Sequence, residues 1–286
     1  MKISLLLSFA ALGALASSAF AADLPTKKGP PPAPTIVMAP YSWAGFYVGV
    51  NGGYADPTAK LSVAPGGGWA GDVDWNANAN GPGITGVGTH DIGLHGFVGG
   101  VTAGYNYQFS NFVVGVEADA DYMHLRGSYA TSSNYGLDSG YYWANGSAGV
   151  DSLFTIRGRA GVAFDRLLVF VTGGVAFADE KFSQSIGFYN PGEKPPALPI
   201  TPPGGAYGYN AGSASSTVVT GVVGAGLEYA FDSHWSLKGE YLYVPLKSQS
   251  FSSSYTDSTD TVYTVRHHES LSALNVFRVG LNYRLP

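Results

Sequence analysis

Two stretches, Gly96 to Gln108 and Phe112 to Tyr122, alternate apolar and polar residues with a period of two, and only Ser110 and Asn111 separate them. Phe97, Val101, Ala103, Tyr105, Tyr107 and Phe109 fall on one face of the first stretch; Gly100, Thr102, Gly104, Asn106 and Gln108 fall on the other. In the second, Phe112, Val114, Val116, Ala118, Ala120 and Tyr122 share a face, opposite Glu117, Asp119 and Asp121. Side chains of a strand alternate between its two faces. A strand with apolar groups on one face and carboxylates on the other has a greasy surrounding outside and water or partner charges inside. This pattern predicts a membrane β-barrel.

The same period marks six more segments. They are Gly45 to Tyr54, Ser152 to Phe164, Leu167 to Phe177, Thr217 to Phe231, Trp235 to Val244 and Leu274 to Arg284. Eight antiparallel strands result. Tight joints fall at Ser110-Asn111, Asp165-Arg166 and Asp232-Ser233-His234. The other joints are long: Ala55 to Leu94, Arg126 to Asp151, Ala178 to Ser216 and Pro245 to Ala273. Short and long alternate strictly, as a barrel with periplasmic turns and extracellular loops requires. An immunoglobulin-like sandwich has no reason to sort its loops by parity. Aromatic residues gather at the tight ends (Tyr107, Phe109, Phe112, Phe164, Tyr229, Phe231, Trp235 and Tyr283), which reads as an interfacial girdle. No long helical period appears.

Residues 1–21 read as a signal peptide: Lys2, a short apolar run from Ile3 to Leu15, and Ala19-Phe20-Ala21 as the cleavage signature. Residues 22–42 carry Pro25, Pro30, Pro31, Pro32, Pro34 and Pro40, which suit a periplasmic linker rather than a sheet ladder. Residues 43–286 make the barrel. The absence of cysteine removes disulfides, thiolate metal sites and cysteine nucleophiles. Only 12% of residues are charged, the net charge is −5, and no basic tract exists, so nucleic acid is not expected as a partner.

The inward faces collect Glu117, Asp119, Glu228 and Glu240 with Arg157, Arg159, Lys238 and Arg278, and Asp121 nearer the outer rim. Eight strands enclose a bore that side chains can just fill. A lone charge there is costly, whereas a paired and hydrogen-bonded one is tolerated. The near balance predicts an internal ion-pair network; a selectivity ring in a narrow pore is the alternative. A glycosidase pair of carboxylates would need a cleft that a closed barrel lacks. No catalytic, cofactor or metal site is expected. His267-His268-Glu269 could seed a metal site, but consecutive residues on an extended chain point in alternate directions, and the reading is surface histidines in a loop. His124 and Asp121 with a loop serine could imitate a hydrolase trio, without a nucleophile elbow around them. Gly81-x-Gly83-x-x-Gly86 matches the dinucleotide fingerprint as a string, lacks its strand and helix, and reads as flexible loop. Pro191 to Gly205 carries six prolines and cannot extend a sheet.

Four segments carry a resemblance: Ala22-Asp23-Leu24-Pro25, Trp43-Ala44-Gly45-Phe46-Tyr47-Val48-Gly49, Gly226-Leu227-Glu228-Tyr229-Ala230-Phe231 and Phe277-Arg278-Val279-Gly280-Leu281-Asn282-Tyr283. From Trp43 to Arg284 the chain resembles the Omp25/RopB-type outer-membrane surface antigens, among the OmpA-like eight-stranded barrels of alphaproteobacteria. The resemblance implies a non-enzymatic structural protein of the bacterial outer membrane, exposed to host immunity and often labelled a porin. The partners this implies are outer-membrane lipid and lipopolysaccharide, the outer-membrane assembly machinery, and host or environmental surfaces met by the loops. Such barrels end in an aromatic residue; this chain ends Tyr283-Arg284-Leu285-Pro286, which leaves Tyr283 to fill that role from an inner position.

Overall fold

A computed structural model describes residues 41–68, 80–135, 140–189, 209–256 and 260–286. The expected signal peptide, the linker up to Pro40 and the Pro191 to Gly205 segment lie outside the described residues. Eight strands close a barrel: β1 (Gly45–Ala55), β4 (Gly96–Phe109), β5 (Phe112–Tyr135), β6 (Gly140–Phe164), β7 (Leu167–Tyr189), β8 (Tyr209–Ala230), β9 (Trp235–Val244) and β12 (Leu274–Arg284). The ring runs β1-β12-β9-β8-β7-β6-β5-β4, and β4 pairs with β1 to close it. Every ladder is antiparallel. Closure leaves no open edge in lipid, where an unpaired backbone group is costly.

The tight turns fall where the alternation stops. Ser110 and Asp165 take left-handed backbone angles at φ 54°, which lets two residues reverse the chain. At the third turn the Asp232 carboxylate accepts from the His234 and Trp235 amides, both at 2.7 Å. All eight expected strands have the expected inward and outward faces. Val116 is 61% exposed and Val171 61%, whereas Glu117 is 2% and Thr172 7% exposed.

The outward apolar run on β5, Phe112 to Tyr122, matches the roughly 9–11 tilted residues that cross a bilayer. Directly above it the outward face turns polar. Tyr122 pairs with Ser152, Ser152 with Asp179, and Asp179 with Thr217. The Ser152 and Thr217 hydroxyls donate to Asp179 at 2.9 and 2.6 Å and hold its carboxyl below the usual carboxylate range. This row marks the outer edge of the apolar band. No described helix is long and apolar enough to cross a membrane, which says nothing of strands.

Beyond that row the structure departs from the sequence reading. The long joints are not plain loops. β5 to β8 run on outward without a break, so Arg126 to Asp151 lies within β5 and β6 where it is described, and Ala178 to Ser216 within β7 and β8. The other two joints form a second sheet from β2 (Thr58–Gly67), β3 (His90–Gly93), β10 (Gln249–Thr256) and β11 (Val262–Leu271), in the order β10-β11-β2-β3. These strands continue the barrel strands they follow or precede across kinks of two to four residues, such as Asp56-Pro57 between β1 and β2. Hydrogen bonds from Leu94 N to Pro57 O and from Ser272 N to Thr58 O, each 2.8 Å, carry the wall across the breaks. The wall therefore stands well above the apolar band. Gly81 to Gly86 lies in a helix, α1 (Asn80–Gly88), rather than a flexible loop. His267 to Glu269 sit in β11 rather than on a surface loop; His267 and Glu269 are buried and His268 is exposed.

Candidate functional site

The interior is filled in three layers. At the periplasmic end Trp43 packs with Val113, Ala163, Leu168, Phe170 and Ala230. Its indole donates to the Asp165 carbonyl at 3.0 Å and its amide to Gln108 Oε1 at 2.6 Å. Tyr41 meets the Trp43 ring edge-on at 5.1 Å, so the end of the expected linker packs at the barrel mouth.

The middle layer holds all eight charged residues expected in the lumen, plus Asp121. Arg157 donates to Glu117, to Asp119 Oδ2 at 2.6 Å and to Glu240 Oε1 at 2.6 Å. Arg278 bridges Asp119 at 2.9 Å, Asp121 at 2.8 Å and Glu240 at 2.7 Å. Lys238 reaches Glu117 at 2.9 Å. Arg159 reaches Glu228 at 2.8 Å and lies over the Phe170 ring at 4.1 Å, a cation–π contact. Neutral groups complete the set. Tyr47 donates to Glu117, Thr102 and Thr155 to Asp119, Asn51 to Asp121, and Ser236 and Asn282 to Glu228, at 2.6–2.9 Å. Each oxygen of the five carboxylates thus accepts at least one hydrogen bond, the condition for charge to be tolerated out of water.

Small residues make the room. Gly53, Gly100, Gly104, Gly174 and Gly226 stand directly opposite Arg278, Asp121, Glu117, Arg157 and Glu240. A Cβ on Gly104 would lie 2.4 Å from the Tyr47 hydroxyl, and one on Gly174 2.0 Å from the Ile156 carbonyl oxygen. The alternation places the neutral donors and Gly100, Gly104, Gly174 and Gly226 on the inward faces, but does not by itself pair them with the charges. The signal that does so is the cross-strand register of those inward positions.

The outer layer is mainly apolar. Ala55, Leu61, Leu94, Val98, Met123 and Leu125 belong to one continuous buried cluster with Val150, Leu153, Phe182, Val222, Leu242, Leu271, Leu274 and Val276. It joins the barrel wall to the second sheet. Above it α1 contributes Ile84 and Val87 to a further cluster with Val63, Tyr142, Ile186 and Val265.

The residues weighed for catalysis do not assemble. Asp121 is buried and bound by Arg278 and Asn51, while His124 is exposed. No group of three or more metal-ligating side chains occurs among the described residues.

A closed eight-stranded ring with an apolar exterior band, a charged interior and short turns at one end is a transmembrane β-barrel of the outer-membrane type. A profile of the outer membrane protein beta-barrel domain matches residues 7–284, and the chain belongs to that family. The 31 kDa outer-membrane immunogenic protein of Brucella melitensis biotype 1 is 32% identical over 290 residues, covering 99% of this chain and 100% of that protein. The 22 kDa outer membrane protein of Rhizobium leguminosarum bv. viciae is 29% identical over 207 residues, covering 70% of this chain and 78% of that one. The crystal structure of OprG from Pseudomonas aeruginosa aligns over 85% of this chain and 96% of its own, with a TM-score of 0.40 and 12% identity. The protein resides in the bacterial outer membrane.

Proposed function

We propose that this outer-membrane barrel is a sealed, non-enzymatic structural protein that supports the envelope and presents its outer wall at the cell surface. The observation that carries this reading is the filled interior: an ion-pair layer, with every carboxylate oxygen hydrogen-bonded, fills the bore between two mainly apolar layers. The buried apolar cluster above the charges weighs against a selectivity ring, which needs its charges to meet solvent. Surface presentation is supported by the wall that stands above the apolar band and by the relatives named as immunogenic. The exterior band meets outer-membrane lipid and lipopolysaccharide, Tyr283 offers the assembly machinery its aromatic residue, and the outer strands meet host or environmental surfaces. In the same reading residues 1–21 direct export and residues 22–42 remain periplasmic.

Single-channel recording of the purified, folded protein in planar bilayers tests the proposal. Silence is the expected result. Steady openings would refute the sealed interior and favour a narrow channel for small solutes. Hydrolysis of an ester or peptide that is lost on changing His124 or His95 would refute the non-enzymatic reading.

A further inference from the structure

The lumen obeys a strict rule, one or more donors for every carboxylate oxygen with cations among them. Above the bilayer row a second pair of buried carboxylates breaks it. Glu180 lies on β7 in the wall and Glu269 on β11 in the second sheet; both are buried, at 0% and 1% exposure. Gln249 on β10 is the direct cross-strand neighbour of Glu269, and its Nε2 donates to Glu180 Oε2 at 2.6 Å. Both oxygens of Glu269 and the remaining oxygen of Glu180 have no hydrogen-bond partner.

The surroundings offer no countercharge. Across from Glu269, β2 presents Leu61 and β10 presents Gln249. Along its own strand the same face carries His267 and Leu271. His267 is itself buried and bonded to Gln184 and Ser253, both at 2.8 Å, and stacked on Phe251 at 4.5 Å. From β7 the facing groups are Glu180 and Phe182, while Lys181 points outward to Asp151. Among the described residues no cation bonds Glu269; beyond Leu61, β3 places His90 on the same face. A carboxylate buried without a cation is stable only when it carries a proton.

We propose that Glu269, with Glu180, is a proton latch that holds the β10–β11 hairpin against the barrel wall: docked while Glu269 is protonated, loosened when it ionises. Burial first, and then the charge of Glu180, push the Glu269 carboxyl up to about 8. Its folded value lies above its ordinary value of 4.5. The docking it supports is complete below about 4.5 and is lost as pH rises through 8. His267 works in the opposite sense: burial lowers it from 6.5 to about 4, so its contribution is complete above 6.5 and fades on acidification. The two slopes oppose each other at mildly acidic pH. From 6.5 to 8 His267 no longer opposes the Glu269 slope, and each pH unit multiplies the open fraction by about ten; burial raises the Glu180 carboxyl too, with the same sign.

Hydrogen exchange of the full folded protein in detergent micelles tests the latch. At each pH the protection of the β10 and β11 amides is divided by that of the Glu269→Gln variant, which cancels the intrinsic pH dependence of exchange. The expected ratio falls about tenfold per unit between pH 6.5 and 8 and is flat in β5 at Phe112 to Tyr122. A pH-independent ratio in β10 and β11 would overturn the proposal. So would protection that drops on chelating divalent cations at fixed pH in the parent but not in the variant, because the pair would then hold a metal. If Glu269→Gln fails to give the heat-modifiable folded band, Glu180→Gln serves instead. It removes the like charge and should shrink the fall; an unchanged fall refutes the latch.

Discussion

Replacing Arg157 by Met tests the lumen network at its most connected point. The guanidinium is fully buried and binds three carboxylates, and it also reaches Thr155 Oγ1 at 3.2 Å. Three charge-assisted hydrogen bonds at about 1.5–3 kcal/mol each would suggest a gross loss of several kcal/mol. Two facts reduce it. The desolvation of the guanidinium is no longer incurred, and Lys238 and Arg278 stay on Glu117, Asp119 and Glu240. The net loss should therefore lie near the low end of the range for breaking a buried pair, about 3 kcal/mol. Glu117 is the direct cross-strand partner of Arg157, so the double change Arg157→Met with Glu117→Leu removes one charge of each sign at a single site. It should cost less than the two single losses added together, by about 2 kcal/mol. The assay is a urea titration of the refolded barrel in micelles, followed by Trp fluorescence and by the shift of the unboiled band on a gel. A single-variant loss below about 1 kcal/mol, or strictly additive losses, would mean that the charges face water independently, and the sealed interior would fall with them.

Three further outcomes follow from the same geometry. Trp43→Ala should cost about 3–5 kcal/mol by emptying the periplasmic layer, read in the same urea titration. Gly174→Val should abolish the heat-modifiable band, because its Cβ, opposite Arg157, would collide with the Ile156 carbonyl oxygen, while Gly239→Ala, with open space around the new methyl, should leave the band intact. Between pH 6.5 and 4.5 the opposing slopes of His267 and Glu269 should leave β11 protection nearly flat in the parent; His267→Gln should unmask a gain of protection on acidification, read in hydrogen exchange.

The membrane half of the barrel was legible because the apolar outward face runs along every spanning segment, while the inward face gathers the polar groups above a short apolar end. All eight strands and the tight turns follow from it. The outer wall was not legible, and β7 displays the reason. Its outward residues are Val169, Val171, Val175 and Phe177, then Asp179, Lys181, Ser183 and Ser185. Its inward residues are Thr172, Gly174 and Ala176, then Ala178, Phe182 and Ile186 with the buried Glu180 and Gln184 between them. The period of two persists while the polarity of the two faces exchanges. A search for apolar-out alternation stops at that exchange and reads the remainder as loop. β11 hides itself differently. Arg266, His268 and Ser270 face out, and His267 and Glu269 interrupt the inward run of Val265 and Leu271. Two buried titratable groups made a half-buried strand resemble a polar connection. The lumen charges were legible as a set, but not all their partners were: Thr102 and Ser236 lie across hairpins from Asp119 and Glu228, whereas Tyr47 and Asn51 reach Glu117 and Asp121 from strands 70 residues away in sequence.

The exchange of polarity within β5 to β8 also explains how one wall satisfies two solvents. In the bilayer the exterior costs nothing to leave apolar, so polar groups can be concentrated inside, provided they satisfy one another. Above it the exterior meets water and the hydrophobic effect again favours an apolar interior. The ladders run on across the boundary, with register shifts at Tyr122/Leu125 between β5 and β6 and at Val150/Ser152 between β6 and β7, because the strands bond to their neighbours in both regions. Only the side chains change sides, and they do so at the row of Ser152, Asp179 and Thr217. The charged layer and the apolar layer above it are therefore two consequences of one solvent boundary. An interior built on that boundary is filled at both levels for different physical reasons, and opening either level alone would leave the other closed.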